Sequence, residues 1–234
     1  MVELQAIAVG VASRPRNAMT EKRNTGTVEI PSSSRDHWQR IYGAKDEDEM
    51  SWFQAHPRTS LKLVVATGLG TDARIVDIGA GASRLVDALL DAGFRNVTVL
   101  DVAEGARDKA KRRLGPRASA VTWVTADVAS WEPGSPFDLW HDRAVFHFMT
   151  RPEDQESYRA TMLRALRPGG QAIIATFSMA GPERCSGLPV RRYEPESLAS
   201  ELGTGFRLVG CVREQHLTPA GRVQDFQYSR FVRV

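Results

Sequence analysis

From residue 74 onward the chain alternates short apolar runs with amphipathic stretches, the pattern of strands separated by helices. Arg74-Ile75-Val76-Asp77-Ile78 reads as a buried strand, and residues 83–92 as a helix with Leu85, Val86, Leu89 and Leu90 on one face. Residues 96–101 are predicted as a second strand, 103–114 as a second helix, 120–124 as a third strand and 137–140 as a fourth. A helix over 152–167 is predicted to stop at Pro168-Gly169-Gly170, before a fifth strand over 171–177. Strands alternating with helices imply crossovers and a parallel sheet covered on both faces, an α/β class. The tail differs: 206–213 and 222–234 read as strands joined by a turn around Pro219-Ala220-Gly221, hence antiparallel neighbours. Upstream, residues 35–70 read as helical with Trp38, Tyr42, Trp52 and Phe53 among them, and residues 1–34 show no sustained period and read as a tail.

Composition narrows the class only a little. The chain has 234 residues, long enough to bury a substantial core, and a formal charge of +3 with acids and bases interleaved. Lys109, Lys111, Arg112 and Arg113 read as the exposed end of a helix rather than a basic stripe, so no nucleic-acid partner is expected. No apolar stretch approaches a membrane span, and no basic segment precedes the apolar first ten residues as a signal peptide would require. The two cysteines, Cys185 and Cys211, make no CxxC pair, which fits reduced thiols and a cytoplasmic location. Translation starts at Met1 or at Met19, which opens a more polar run.

The densest local signal is Val76-Asp77-Ile78-Gly79-Ala80-Gly81-Ala82-Ser83, at the end of the first strand. Glycines there let backbone approach a ligand, and open α/β sheets bind ligands beyond the carboxyl ends of their strands. The dinucleotide pattern GxGxxG/A is not met, because its third position is Arg84. Asp77 just before the glycines would repel a pyrophosphate and suits a cationic amino group, which argues against a dehydrogenase. Asp101 ends the second strand, where a carboxylate can accept both hydroxyls of a ribose, or cap the following helix. Ala126-Asp127-Val128 follows the third strand; Asp127 can take an adenine's exocyclic amine while Val128 packs on the ring, or can be a turn residue.

With Phe137-Asp138-Leu139 and Leu166-Arg167-Pro168-Gly169-Gly170, these elements resemble the class I S-adenosylmethionine-dependent methyltransferases, of the type 11/12-like kind, over roughly residues 73–178. Ser83 departs from the third glycine of many members. The resemblance implies a Rossmann-like doubly wound sheet of about seven strands, mostly parallel with an antiparallel C-terminal strand. It implies S-adenosylmethionine as cofactor, held by Asp77, Gly79, Ala80, Gly81, Asp101, Val102, Asp127 and Val128. Residues 1–34 read as a flexible tail and 35–234 as one domain. Within that domain lie a helical lid (35–72), a cofactor-binding core (73–180), and a substrate loop with C-terminal antiparallel strands (181–234). A weaker similarity, to thiopurine and related thiol methyltransferases, rests on Trp140-His141-Asp142-Arg143-Ala144 and Gly181-Pro182, while Cys185-Ser186-Gly187-Leu188 departs from it.

Methyl transfer from a sulfonium needs alignment and exclusion of water, with an acid or base only where the nucleophile arrives protonated. The expected catalytic residues are Asp142, Arg143 and His147, placed after the fourth strand. Asp142 would orient or deprotonate a substrate and Arg143 hold an anionic one; equally, the two would pair or steady the cofactor's methionine end. His147 reads as a base or as a packed histidine. Trp38, Tyr42, Trp52 and Phe53 read as a substrate lid, or as the apolar face of a helix pair. No metal site is expected. The acceptor is expected to be a small molecule reacting at sulfur, nitrogen or oxygen. The alternatives are a protein lysine, or a non-catalytic adenosylmethionine-binding regulator. The oligomeric expectation is a monomer or homodimer.

Overall fold

The computed structural model describes residues 34–234. The tail expected over 1–34 and both candidate start methionines thus lie, apart from Ser34, outside the described residues. Apolar runs form the strands of a central sheet: β1 (Arg74–Ile78), β2 (Asn96–Asp101), β3 (Val121–Thr125), β4 (Phe137–Arg143) and β5 (Leu166–Phe177). A two-stranded hairpin follows, β6 (Arg184–Cys185) with β7 (Leu188–Pro189), and then β8 (Phe206–Leu217) and β9 (Val223–Arg233). The seven-stranded sheet has the order β3-β2-β1-β4-β5-β9-β8. β1 to β5 run parallel, and β9 is antiparallel to both β5 and β8. This is the Rossmann-like architecture expected, with the order of the strands reversing between β1 and β4, where such sheets open a crevice.

The helices are α1 (Ser34–Ala44), α2 (Arg58–Val65), α3 (Leu85–Asp91), α4 (Glu104–Leu114), α5 (Pro152–Ala165) and α6 (Pro195–Leu202). Alternation along the strands sends Ile75, Val97, Val99, Ile173 and Phe226 to one face, against Val64 of α2 and Leu85 and Leu89 of α3. Val76, Leu100, Ile174 and Phe231 go to the other face, against Tyr158 and Met162 of α5 and Leu198 of α6. Each fully buried side chain of this size contributes roughly 1.5–3 kcal/mol. A third cluster, built on Tyr42, Met50 and Ala106, seats α1 on α4.

Several boundaries differ from the sequence reading, three of them in ways that matter here. Residues 35–70 are not continuously helical: Met50–Pro57 form an irregular connection ended by Pro57, and Trp52 and Phe53 lie in it. The helix expected to reach 167 stops at Ala165, because Leu166 already pairs with Phe137 and Arg167–Gly170 bulge out before Gln171 resumes pairing. Gly169 takes φ of +73° in that bulge. The fourth strand continues through Arg143, so His141, Asp142 and Arg143 are strand residues with sides fixed by the pleat.

Candidate active site

The carboxyl ends of β1, β2, β3 and β4 converge on two adjoining cavities, one larger than the other. Gly79, Trp52 and Arg143 line both and form the partition between them. Gly79 takes φ of +56°, and a Cβ there would lie 2.1 Å from Val145 Cγ2, so the turn excludes any side chain. Gly81, also at +56°, lines neither cavity; it lies under the Tyr42 hydroxyl, 2.0 Å from where its Cβ would be. Its N–H donates to Asp101 Oδ2 at 2.8 Å.

The larger cavity is walled by Asp101, Val102, Asp127 and Val128. Asp101 is buried at 4% exposure, and its Oδ1 accepts the Ala103 N–H at 2.7 Å. Burial pushes its pKa up to about 6; the backbone donors hold it down and the charge of Asp77 pushes it further up. Two backbone donors do not exhaust a carboxylate's lone pairs, so Asp101 keeps acceptor capacity. Asp127 is exposed and its Oδ1 accepts the Ala129 N–H at 2.9 Å, closing its own turn, while Val128 is buried against the cavity.

The smaller cavity is walled by Asp77, Ala80, Ser60 and His141. His141 Nδ1 lies 2.7 Å from Asp77 Oδ1 and its Nε2 lies 3.0 Å from the Ser60 hydroxyl. Sequence reading missed this alignment: Ser60 is 81 positions from His141, and no local pattern marks it.

Above the partition stands an aromatic roof. Trp38 meets Trp52 edge-on with ring centroids 5.8 Å apart and Phe148 at 5.2 Å, and Tyr42 meets Trp52 at 6.0 Å. Of the two cavities, Phe53 lines the smaller, under the Arg84 guanidinium. The roof is tied down by Glu47, whose carboxylate accepts from Arg84 at 2.6 Å and from Arg113 at 2.5 Å. Those two arginines hold its pKa below the usual carboxylate value despite partial burial. Arg113 also donates to the carbonyls of Ala82 and Ser83, so roof and glycine loop share one anchor.

Of the three residues expected to act on a substrate, only Arg143 reaches a cavity. Its Nε donates to the Tyr228 hydroxyl and its Nη1 to the Trp52 carbonyl, each at 3.0 Å. Its Nη2 is buried with no hydrogen-bond partner, and Arg143 makes no ion pair among the described residues. Its guanidinium lies 4.3 Å from the Phe226 ring. Asp142, by contrast, lines neither cavity and is fully buried on the opposite side of the strand. Its oxygens accept the N–H groups of Val145 (2.9 Å) and Phe146 (3.0 Å) and the Tyr158 hydroxyl (2.6 Å). Ala144, at φ of 73°, makes the turn that brings those N–H groups back. The expectation that Asp142 orients a substrate is corrected: the pleat aims it at α5. Of the two readings of His147, the packed one fits its place. It is fully buried against Phe148 and Phe177, lines neither cavity, and burial with the nearby Arg143 charge pushes its pKa down to about 3, so it stays neutral. Cys185 lines the larger cavity and its thiol pKa is raised by burial, which makes it a wall rather than a nucleophile.

No cluster of metal-ligating side chains occurs among the described residues, and no described helix is long and apolar enough to cross a membrane. Residues 75–170 match the sequence model of a family described as a methyltransferase domain. Probable thiol methyltransferase 2 of Arabidopsis thaliana is 26% identical over 200 residues, spanning 81% of this chain and 87% of the plant protein. The malonyl-acyl-carrier-protein O-methyltransferase of Anoxybacillus flavithermus is 33% identical over 104 residues, and this chain spans only 38% of its length. The crystal structure of Burkholderia thailandensis 1,6-didemethyltoxoflavin-N1-methyltransferase, with 1,6-didemethyltoxoflavin and S-adenosylhomocysteine bound, shares the fold. Its TM-score is 0.66 at 24% identity, over 86% of this chain and 87% of that one.

Proposed function

We propose that this chain, which belongs to the class I S-adenosylmethionine-dependent methyltransferases, methylates a sulfur, nitrogen or oxygen nucleophile of a small molecule. The observation that carries this reading is the order of groups along the strand ends. Val128 and Asp127 offer an apolar wall and an acceptor for an adenine, Asp101 an acceptor for ribose hydroxyls, and Asp77 a carboxylate for an amino group. The donor set therefore fits the cofactor, with Gly79 leaving room for close backbone approach. When bound, S-adenosylmethionine supplies a methyl group on a sulfonium, already a good leaving group.

The protein's own work is then to hold, align and keep dry. Trp38, Tyr42, Trp52 and Phe148 close over the partition and exclude water. Asp142 and His147 do not reach the cavities, so the acceptor must bring a lone pair that needs no base from either. Arg143 presents an unpaired, buried N–H group at the partition, a costly arrangement that an anionic group on the acceptor relieves. The enclosing roof favours a small molecule over a protein lysine, which needs an open groove. The free thiols of Cys185 and Cys211 fit a reducing compartment such as the cytoplasm.

Calorimetric titration with S-adenosylmethionine, with NAD as control, tests the reading. Saturable binding of adenosylmethionine alone is expected, and binding of NAD alone overturns it. In an acceptor screen, Arg143→Met is expected to lower kcat/KM for an anionic acceptor by about 100-fold with cofactor Kd within about threefold. A matching loss of cofactor affinity would instead assign Arg143 to the cofactor's carboxylate.

A further inference from the structure

Asp77 and His141 sit opposite one another on the paired strands β1 and β4, and Ser60 reaches the same point from α2. All three are buried, with exposures of 3%, 2% and 1%, yet all line the smaller cavity. A carboxylate only accepts hydrogen bonds, so His141 Nδ1 carries the hydrogen donated to Asp77 Oδ1. In that tautomer Nε2 accepts from the Ser60 hydroxyl, which fixes the ring. The terminal torsion of an aspartate is otherwise broad. Held at Oδ1, the Asp77 carboxylate has its other oxygen left for a ligand in the cavity it lines. The charge of Asp77 is felt at Asp101, whose pKa it raises. Glu47, the other acid on this cavity, is already matched by Arg84 and Arg113.

We infer that His141 and Ser60 are positioning residues for Asp77, aiming its carboxylate at the ammonium group of the cofactor's methionyl end. This rests on the cofactor reading above and assigns a role to two residues outside the cofactor's own contacts. The Ser60–His141–Asp77 order also matches a nucleophile–base–acid array, so hydrolysis is an outcome the test must separate.

Full-length protein would be titrated with S-adenosylhomocysteine and with 5′-methylthioadenosine, which keeps the adenosine and thioether but lacks the amino-acid end. His141→Leu is expected to weaken S-adenosylhomocysteine by about 10- to 100-fold and 5′-methylthioadenosine by less than about threefold. His141→Asn retains a donor toward Asp77 and should restore affinity to within about threefold of the parent. Combining His141→Leu with Asp77→Asn should cost no more than Asp77→Asn alone. Ser60→Ala, the mildest change, should weaken only S-adenosylhomocysteine, by about three- to fivefold. That variant carries the test if His141→Leu fails to fold. Equal losses for both ligands, or no loss for S-adenosylhomocysteine, would overturn the inference. So would labelling of Ser60 by a fluorophosphonate. A parent protein that binds neither ligand would instead sink the cofactor reading, and this inference with it.

Discussion

Asp101 at the end of β2 and Asp142 near the end of β4 are two buried carboxylates with nearly the same physical signature. Each accepts two backbone N–H groups, and burial pushes each pKa up to about 6. They differ in where the remaining lone pairs point. Asp101 faces the larger cavity, whereas Asp142 spends its spare acceptor capacity on the Tyr158 hydroxyl, which in turn accepts from Trp140 Nε1 at 2.8 Å. A perturbed carboxylate at a strand end is therefore a site for one residue and a rivet for the other. What separates them is the side of the strand and an unused acceptor, not burial or pKa.

The comparison breaks most sharply at Asp142. Asp142→Ala leaves two backbone donors and a tyrosine hydroxyl buried without their acceptor, an expected loss of about 3–5 kcal/mol. Thermal unfolding should fall by roughly 10 °C, with cofactor Kd within about threefold of the parent. An unchanged melting temperature with lost turnover would return Asp142 to the chemistry. Asp101→Ala should do the reverse: about 100-fold weaker cofactor binding, or about 3 kcal/mol, measured by calorimetry. Affinity equal to the parent would remove Asp101 from the ribose contact.

The smallest effect concerns pH. On the proposed ribose contact the ionised form of Asp101 is the acceptor, so cofactor affinity should be flat above about pH 6 and fall below it, at most about tenfold per pH unit. Folding has the opposite sign. The folded pKa of about 6 lies above the ordinary 3.8, so the ionised carboxylate costs stability, and that cost fades as pH falls from about 7 toward 4. The fall in affinity should vanish in Asp101→Asn and persist in Asp142→Asn, measured by titration across pH 5 to pH 8, a range set by a pKa of about 6.

Much of this was legible in the chain. The β1, β2 and β3 ends and their acids follow from apolar runs closed by Asp77-Ile78-Gly79, Asp101 and Ala126-Asp127. β4 runs three residues past the apolar run that predicts it, and those three residues decide where Asp142 points. Once His141-Asp142-Arg143 is strand, the alternation of two sends His141 and Arg143 to the cavities and Asp142 away from them. Trp140 alternating with Leu139 between the two cores was the available signal. Pro57 similarly marked the end of the irregular segment carrying Trp52 and Phe53. Ser60 and Glu47 carried no local signal. Each acquires its place by meeting residues far along the chain, which only the folded arrangement decides.

The β8–β9 ribbon carries a consequence for descent. It brings Tyr228 and Phe226 against Arg143, and Glu214 accepts from Tyr228, Gln54 and Thr59. The glycine turn, Asp101 and Asp127 all come from one stretch, residues 79–127, while the groups that steady Arg143 come largely from the last tenth of the chain. Two stretches of gene thus meet at one partition, and mutation in the later one can redraw acceptor preference while the earlier one is inherited intact.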